Sequence, residues 1–306
     1  MLTVIGEALV DEVLRPGAEA VAHVGGSPMN VAVGLARLGH PVQFIGRFGR
    51  DPYGTMISEH LHANSVLLPG TPDELPSSVA RAVLDAEGAA NYEFQLAWQL
   101  PEVLPRQLQA ITLLHTGSIA SMLEPGVHEV KKAVLSARGH ATISYDPNYR
   151  PSIVPDQATA RSWAEAFVAL ADVVKASDED LQLLYPGLEP HEAARNWLAL
   201  GPALVVVTQG EKGPWALARS GEASVAAPPT EVADTVGAGD SFMAALLSWI
   251  VDQELDGAQR REQLHQISQQ QLAEMLRFAA AAAAITVSRP GANPPSRHEL
   301  PALGVR

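Results

Sequence analysis

Short apolar runs rich in β-branched residues alternate with helical patterns along most of this 306-residue chain. The runs predict strands at Leu2–Ile5, Val42–Ile45, Ile111–Leu114, Thr142–Tyr145, Val173–Lys175 and Leu204–Thr208. The helical patterns predict helices at Pro28–Arg37, Tyr53–Asn64, Gly126–Arg138, Gln157–Leu170, Glu179–Leu184 and Pro190–Leu200. Strands that are apolar throughout and alternate with helices are typical of a parallel sheet covered on both faces. We therefore predict an α/β fold with a doubly wound, mostly parallel sheet, and we expect ligands at the carboxyl ends of its strands.

Two segments, Val10–Val24 and Ser77–Trp98, interrupt this alternation. Both have the pattern of short alternating strands, and neither has a helix pattern beside it to cover a sheet. We predict a single domain over residues 1–306 with a small, antiparallel, β-rich lid formed by about residues 10–24 and 77–98. An edge hairpin without a ligand role is the alternative. The glutamine-rich segment Val251–Leu272 predicts a solvated helix or a surface insertion.

The bulk composition disfavours several classes of function. The net charge is −13, from 21 basic and 34 acidic residues, and this argues against a nucleic-acid or anionic-membrane partner, because phosphate backbones need a basic surface. No apolar run is long enough to cross a bilayer, and the longest, Phe278–Val287, predicts a packed core helix. The chain has no cysteine and starts directly with a strand pattern, which fits a reducing cytoplasm.

The most informative motif is a glycine turn that leads into an apolar helix, Asp234-Thr-Val-Gly237-Ala238-Gly239-Asp240-Ser-Phe. Free amide hydrogens converge at a helix N-terminus, and the helix dipole adds partial positive charge, so this turn can hold an anion. Asp240 is predicted at the same positive end, where a carboxylate is favoured. An anion site beside a carboxylate suits phosphoryl transfer to an alcohol.

A second glycine motif, Gly25-Gly26-Ser27-Pro28-Met29-Asn30, stands just before a predicted helix. Ser27 is the expected N-cap and Pro28 suits the first helical position, so Asn30 projects from the first turn. Nearby in the predicted fold, Gly6-Glu7-Ala-Leu-Val-Asp11 follows the first strand. Asp11 and Asn30 together can hold neighbouring hydroxyls of a polyol. A plain strand-to-helix turn is the alternative for the two glycines.

These motifs resemble the two signatures of the ribokinase-like (PfkB) carbohydrate kinases. The first signature is matched by Gly25–Gly39 with Gly46–Gly54, the second by Asp234–Phe242, and the resemblance extends from Met1 to about Arg297. It implies a ribokinase-like α/β sandwich with a β-rich lid, ATP with Mg²⁺ as phosphoryl donor, and a sugar acceptor. A P-loop, a dinucleotide fingerprint and an esterase elbow are absent from the sequence, which disfavours other nucleotide-binding and hydrolase classes.

The resemblance also assigns roles to residues. Asp240 is implied to be the base that takes the proton of the sugar hydroxyl, and the amides of Gly237, Ala238 and Gly239 form the anion hole. The residues implied on the sugar side are Asp11, Gly25, Gly26, Asn30 and Arg150. The residues implied on the ATP side are Lys175, Ser177, Thr208, Gly210 and Gly213.

Two metal sites are implied by the same resemblance. Ser177 and Asp180 replace the Asn and Glu of the family's Mg²⁺ element, so Asp180 acts on the metal through water, or the pair simply caps a helix. Thr208–Gly213 is similar to the turn near the triphosphate, or is an ordinary tight turn. Asp234 and the carbonyls of Val236 and Gly291 resemble a loop that binds a monovalent cation such as K⁺.

The acceptor is the least determined feature. Asp146-Pro-Asn-Tyr-Arg150 is similar to the fructokinase branch and to 2-keto-3-deoxygluconate kinases, and Arg150 suits a carboxylate, a phosphate or a pair with Asp146. Fructose is the first expectation, the keto-deoxy acid the second, and ribose or another polyol the third. A non-catalytic sugar or nucleotide sensor is the alternative from another class, and a Rossmann oxidoreductase is weaker. The resemblance suggests a homodimer that forms through the lid.

Overall fold

A computed structural model describes residues 1–14, 20–84 and 90–302 of the chain. The strands of the described residues are β1 (Leu2–Ile5), β2 (Leu9–Leu14), β3 (Val21–Gly25), β4 (Val42–Ile45), β5 (Ser78–Leu84), β6 (Ala90–Gln95), β7 (Leu113–Gly117), β8 (Thr142–Asp146), β9 (Val173–Ser177), β10 (Leu204–Thr208), β11 (Trp215–Ala218) and β12 (Gly221–Ser224). The α-helices are α1 (Ser27–Arg37), α2 (Pro52–Ala63), α3 (Pro105–Leu108), α4 (Gly126–Ala137), α5 (Gln157–Val168), α6 (Asp178–Leu184), α7 (Pro190–Ala199), α8 (Ala238–Asp252), α9 (Arg261–His265) and α10 (Gln269–Val287).

The main sheet has eight strands in the order β12-β11-β10-β9-β8-β7-β1-β4. The pairs from β10 to β4 are parallel, whereas β10 pairs with β11 and β11 with β12 in antiparallel fashion. The predicted α/β fold with a mostly parallel sheet is therefore confirmed. The two antiparallel strands were not predicted, and they pair that way because short turns, not helical crossovers, connect them.

Helices cover both faces of the main sheet. Successive side chains of a strand point to opposite faces, and in β10 this sends Leu204 and Val206 into one apolar core and Val205 and Val207 into the other. The first core is completed by residues of α1, α8 and α10, and the second by residues of α4, α5 and α7. This double burial explains why the strands are apolar throughout.

Helices α1 and α8 lie side by side and run in the same direction. Asn30 contacts Asp240 near their N-termini, and His40 contacts Ser248 beyond the end of α1. Between these points a Cβ on Gly34 would lie 2.6 Å from the Cβ of Ala244, so the two backbones approach closely. The close packing brings both helix N-termini to the same place.

A second, smaller sheet has the strand order β3-β2-β5-β6. It confirms the predicted β-rich unit. The expectation of a wholly antiparallel unit is wrong, because β2 and β5 are parallel, with Val10 opposite Val79, while β2–β3 and β5–β6 are antiparallel hairpins. The predicted lid segments also included residues 15–19 and 85–89, which lie outside the described residues.

A buried arginine attaches this second sheet to the main one. The side chain of Arg47, which follows β4, is fully buried and forms a two-point ion pair with Asp73 at 2.9 and 2.5 Å. Its guanidinium also donates to the carbonyls of Pro76 and Ala97, at 2.8 and 2.9 Å, where the chain enters β5 and leaves β6. The base of the second sheet is thus fixed to the end of β4.

The segment Val251–Leu272 is a connection that belongs partly to three helices. Val251 lies in the last turn of α8, the short helix α9 follows, and Leu272 lies in the first turn of α10. The prediction of a single solvated helix is therefore wrong, since Leu264 and Leu272 are buried against the core. The prediction of a core helix over Phe278–Val287 is confirmed by α10. Across the described residues, the structure has no helix long and apolar enough to span a membrane.

Candidate active site

The two glycine motifs meet at the carboxylate of Asp240. Ser27 Oγ donates to Asp240 Oδ1 at 2.6 Å, and Asn30 Nδ2 donates to Asp240 Oδ2 at 2.8 Å. The prediction that Ser27 caps its helix is wrong, because Gly26 occupies the N-cap position with φ 116° and no side chain caps the helix. The hydroxyl of Ser27 is directed to Asp240 instead.

Asp240 lies in the first turn of α8, directly after the glycine turn. Gly237 is the N-cap of α8 in the left-handed region, with φ 74°, and a Cβ on it would lie 2.6 Å from the Cβ of Ala292. Both facts require glycine there. The amide of Ala238 donates to Thr235 O at 3.3 Å. The first amides of an α-helix have no partner within the helix, and this is what makes a helix start suitable for an anion.

A buried cation lies beneath the same turn. Lys175 Nζ donates to Asp146 Oδ2 at 2.6 Å, and these residues are only 4% and 1% exposed. A Cβ on Gly239 would lie 3.2 Å from Lys175 Nζ. The second oxygen of Asp146, Oδ1, is buried without a hydrogen-bond partner among the described residues.

The charges of this pair are set by burial and by the surrounding carboxylates. Desolvation raises the pKa of Asp146 to about 6, although Lys175 opposes the rise. For Lys175, burial favours the neutral amine, but Asp146, Asp180 and Asp240 outweigh it and raise the pKa. Lys175 therefore stays a cation, and Asp146 is its main partner.

Asp180 caps helix α6, which was one of its two predicted roles. Its Oδ2 accepts from the amide and the hydroxyl of Ser177 at 2.9 and 2.7 Å, and Ser177 Oγ accepts from the Asp180 amide at 2.9 Å. Oδ1 accepts from the amide of Tyr149 at 2.8 Å. Since both oxygens already have donors, a role toward Mg²⁺ through water stays a prediction.

A cavity of about 640 Å³ opens beside the glycine turn. Ala238 and Gly239 form one side of it, and Thr208 and Gly210 form another. Its remaining lining is mainly apolar and includes Pro228, Pro229, Val232, Phe242, Ala280, Ala283, Ala284 and Val287. Of the residues predicted on the ATP side, Thr208 and Gly210 line this cavity, whereas Lys175, Ser177 and Gly213 do not. A ligand with an apolar part and an anionic end fits such a lining.

On the other side of Asp240, the second sheet contributes Asp11. A Cβ on Gly25 would overlap Asp11 Oδ2, and a Cβ on Gly26 would lie 2.5 Å from the carbonyl oxygen of Glu7. Asp11 stands opposite His23 in the β2–β3 pair. Desolvation raises the pKa of Asp11 and His23 opposes the rise. The glycines thus let the Asp11 carboxylate and the chain after β1 approach the start of α1.

Arg150 is exposed, and it does not pair with Asp146. Its Nη1 donates to the carbonyl of Tyr149 at 3.1 Å, while Asp146 binds Lys175. The described residues place no carboxylate in a salt bridge with Arg150. Of its predicted uses, the pair with Asp146 is therefore wrong.

Glu7 is a buried titratable residue that was not among the predicted site residues. It is 3% exposed, and its Oε2 accepts from the amide of Ala120 at 3.1 Å. Desolvation raises its pKa to about 8, with hydrogen bonds from Ser118 and Ala120 opposing and the charge of Asp240 adding to the rise. The one signal in the sequence was its position just after the first predicted strand, because ligands bind at the carboxyl ends of parallel strands.

The predicted cation-binding residues also come together. Asp234 accepts from the amide of Val236 at 3.0 Å through Oδ1 and from the amide of Gly291 at 2.8 Å through Oδ2. These hydrogen bonds lower the pKa of Asp234. Arg37 holds the following chain by donating to Asn293 Oδ1 at 2.5 Å. Cation binding by this loop stays a prediction.

Residues 1–299 match the sequence pattern of the family described as pfkB family carbohydrate kinase. The chain belongs to this family. As a pfkB family carbohydrate kinase it is an enzyme that phosphorylates a sugar, and the predicted resemblance is confirmed. The two glycine motifs that resemble the family's signatures meet at Asp240.

Several proteins named as fructokinases are similar to most of the chain. The fructokinase of Vibrio alginolyticus is 32% identical and covers 80% of this chain and 82% of its own length. Probable fructokinase-4 of Arabidopsis thaliana is 31% identical, with coverage of 99% and 96%. Among solved structures, the fructokinase of Xylella fastidiosa with bound ATP has a TM-score of 0.85 at 25% identity, with coverage of 98% and 95%.

One further solved structure carries several ligands. It is a double mutant of the fructokinase of Vibrio cholerae, in a form bound to fructose, ADP and potassium ion. Its TM-score is 0.77 at 25% identity, and the match covers 95% of this chain and 93% of that one. The ribokinase-like fold expected from the sequence is thus found in kinases of the same family.

Proposed function

We propose that this sugar kinase is an ATP-dependent fructokinase that transfers the γ-phosphoryl group to a primary hydroxyl of fructose. The observation that carries the proposal is Asp240 at the start of α8, held by Ser27 and Asn30 and flanked by the glycine turn. The relatives named fructokinases support fructose as the acceptor. The ATP-bound and fructose-bound relatives support the two substrates.

In the proposed reaction, Asp240 takes the proton of the sugar hydroxyl. The sugar oxygen bonds to the γ-phosphorus, the bond from that phosphorus to the bridging oxygen breaks, and ADP leaves with the electron pair. The amides of Gly237, Ala238 and Gly239 and the ammonium of Lys175 stabilise the charge on the transferred group. This division of work fits phosphoryl transfer, in which positioning and charge stabilisation supply most of the rate.

ATP is proposed to occupy the 640 Å³ cavity, with its phosphates at the glycine turn. Thr208 and Gly210 line that cavity and support this placement, while Ser177 and Gly213 are assigned to the nucleotide side by family resemblance. Mg²⁺, when bound, neutralises phosphate charge. The described residues contain no group of three histidine, cysteine or acidic side chains that could hold it alone, and Asp180 would contact it through water.

A monovalent cation such as K⁺ is proposed near Asp234, Val236 and Gly291. Carboxylate and carbonyl oxygens are the ligands that such a hard cation prefers. The loop is joined to the anion hole through Gly237, which packs on Ala292. A cation there can therefore fix the shape of the turn. We also propose that the protein is located in the reducing cytoplasm. We propose further that it forms a homodimer through the lid.

Fructose is proposed to lie between the second sheet and α1, where Asp11, Gly25, Gly26 and Asn30 meet. One observation favours a second candidate, 2-keto-3-deoxygluconate. Arg150 is exposed and lacks a carboxylate partner in the described part of the chain, so it can bind the carboxylate of such an acid. Ribose or another polyol is the third candidate.

A coupled assay of ADP release with Mg-ATP and K⁺ tests the proposal. Fructose, 2-keto-3-deoxygluconate and ribose are compared, and fructose is expected to give the highest kcat/KM. Asp240→Asn is the control, because it keeps the ATP cavity and removes the base. Sugar binding without ADP release from any acceptor would favour a non-catalytic sensor instead.

A further inference from the structure

The start of α1 has an unusual arrangement. Serine near a helix start normally caps the helix by accepting from a backbone amide. Here Gly26 is the N-cap, Ser27 and Pro28 are the first helical residues, and no side chain caps the helix. The left-handed φ of 116° at Gly26 and its close approach to Glu7 O both require glycine. The glycine therefore leaves the hydroxyl of Ser27 free for another partner.

That partner is Asp240. The 2.6 Å distance from Ser27 Oγ to Oδ1 is typical of a hydroxyl that donates to an ionised carboxylate. Asn30 donates to the other oxygen at 2.8 Å, so the carboxylate is held at both ends. An ionised carboxylate has about four acceptor positions, so two remain for the substrate.

The surroundings of Asp240 explain why fixed donors matter. Its charge acts on Glu7 and Asp146, which are like-charged when ionised, and on the cation of Lys175. The ammonium of Lys175 would attract a free carboxylate, whereas an ionised Asp146 would repel it. Ser27 and Asn30 hold it in place without adding charge.

We propose that Ser27 is a positioning residue, whose hydroxyl fixes the Asp240 carboxylate in the orientation that accepts the proton of the sugar hydroxyl. The inference rests on the proposed function, because it takes Asp240 as the base. A base that is misplaced by even about 1 Å can lose roughly 100-fold in rate. Loss of the Ser27 hydroxyl is therefore expected to lower kcat and to leave the binding of both substrates unchanged.

Ser27→Ala and Ser27→Thr test the role by steady-state kinetics with Mg-ATP, K⁺ and the best acceptor. Ser27→Ala is expected to lower kcat about 10- to 100-fold, as the loss of a hydrogen bond to a charged group implies, with both KM values within about twofold. Ser27→Thr keeps a hydroxyl and is expected to recover most of kcat. Ser241→Ala is the matched control, because it removes a buried serine hydroxyl from α8 that bonds Ala282 and Thr286 instead of Asp240.

Combination with Asp240→Asn separates positioning from folding. If Ser27 acts through the base, Ser27→Ala lowers the residual kcat of Asp240→Asn little further. An equal loss in both backgrounds, a raised sugar KM with unchanged kcat, or unchanged kinetics overturns the proposal.

A melting-temperature cycle of the same variants tests the contact itself even if no acceptor is phosphorylated. The changes from Ser27→Ala and Asp240→Asn are expected to be non-additive, because both alter the same hydrogen bond. Additive changes would show that the contact is absent. Lack of turnover by the unaltered protein would contradict the proposed function and leave this cycle as an independent measurement.

Discussion

Lys175 Nζ donates to Asp146 Oδ2 across 2.6 Å, and the pair is buried beneath the first turn of α8. The two side chains leave neighbouring parallel strands, β9 and β8, close to their carboxyl ends. A Cβ on Gly239 would lie 3.2 Å from the same ammonium. A fixed positive charge is thus held against the glycine turn, where the transferred phosphoryl group is proposed to lie.

Lys175→Met removes this cation and leaves Asp146 buried without its partner. We expect kcat to fall about 100- to 1000-fold, as for the loss of one donor of an anion hole. The free energy of unfolding is expected to fall by about 3–5 kcal/mol, as when one member of a buried pair is removed. Steady-state kinetics and urea unfolding measure the two effects.

The double variant with Asp146→Leu distinguishes catalysis from folding. Replacing both members of a buried pair by apolar residues is often neutral for stability, so the free energy of unfolding is expected to recover. The value of kcat is expected to stay low, because the cation is still missing. Recovery of kcat would show that Lys175 acts only through the fold.

Gly239→Ala tests how closely the turn and the ammonium must approach. The new Cβ would lie 3.2 Å from Lys175 Nζ and would displace the ammonium or the turn. We expect kcat to fall roughly tenfold or more, because small displacements of catalytic groups are costly. Gly139→Ala is the control, since its Cβ would meet nothing within 4 Å. Equal kinetics for the two variants would contradict the prediction.

Glu7 is expected to make the folded protein less stable as the pH rises. Its pKa is about 8 in the folded chain against 4.5 for a free glutamate, so between these pH values the unfolded chain loses a proton that the folded chain keeps. Stability therefore falls as pH rises through this window, by roughly 1.4 kcal/mol per pH unit at most, and the change ends above pH 8.

Glu7→Gln removes this titration while it keeps a neutral group of similar shape. The melting temperature of the variant is expected to fall less than that of the unaltered protein between pH 5 and pH 8, values inside the window from 4.5 to about 8. Melting curves at several pH values measure the difference. Parallel curves for the two proteins would show that Glu7 does not hold a proton in the folded state.

Gly34 sets the distance between α1 and α8. Gly34→Ala would place a Cβ 2.6 Å from that of Ala244 and separate the helices. We expect a loss of about 1–3 kcal/mol in stability, as for other overpacked sites, together with a lower kcat because Ser27 and Asn30 move from Asp240. Adding Ala244→Gly restores the space, and both properties are expected to recover. A lower kcat that persists after stability recovers would contradict this explanation.

The second sheet is predicted to close over the sugar. Closure excludes water, which would otherwise compete for the phosphoryl group. Sugar is therefore expected to slow amide hydrogen exchange in β2, β3 and β5, measured by mass spectrometry with and without fructose. Unchanged exchange in these strands would favour an edge structure without a ligand role.

The elements that the sequence predicted well are those with a local pattern. Strands Leu2–Ile5, Val42–Ile45 and Leu204–Thr208 have the bounds that were predicted, because continuous apolar runs are typical of buried parallel strands. The parallel pairing of β2 with β5 was not predictable in this way. It joins residues far apart in the chain, and a local period carries no information on such partners.

The candidate site divides in the same way. The glycine motifs and Asp240 were found from the sequence, because turns and helix starts depend on local residues. The capping role of Asp180 was one of two predictions, and local spacing could not choose between them. Glu7 was missed, since only its burial in the fold raises its pKa.

By itself, the sequence determined the alternation of strands and helices, the positions of both glycine turns and the family to which they belong. Only the tertiary structure decided that Ser27 holds Asp240, 213 residues away, and that Lys175 pairs with Asp146 instead of leaving it to Arg150. The physical reason is that these contacts depend on the close packing of α1 on α8 and on the order of the strands in the sheet. Backbone periodicity is local, whereas the partners of a buried charge are chosen by the whole fold.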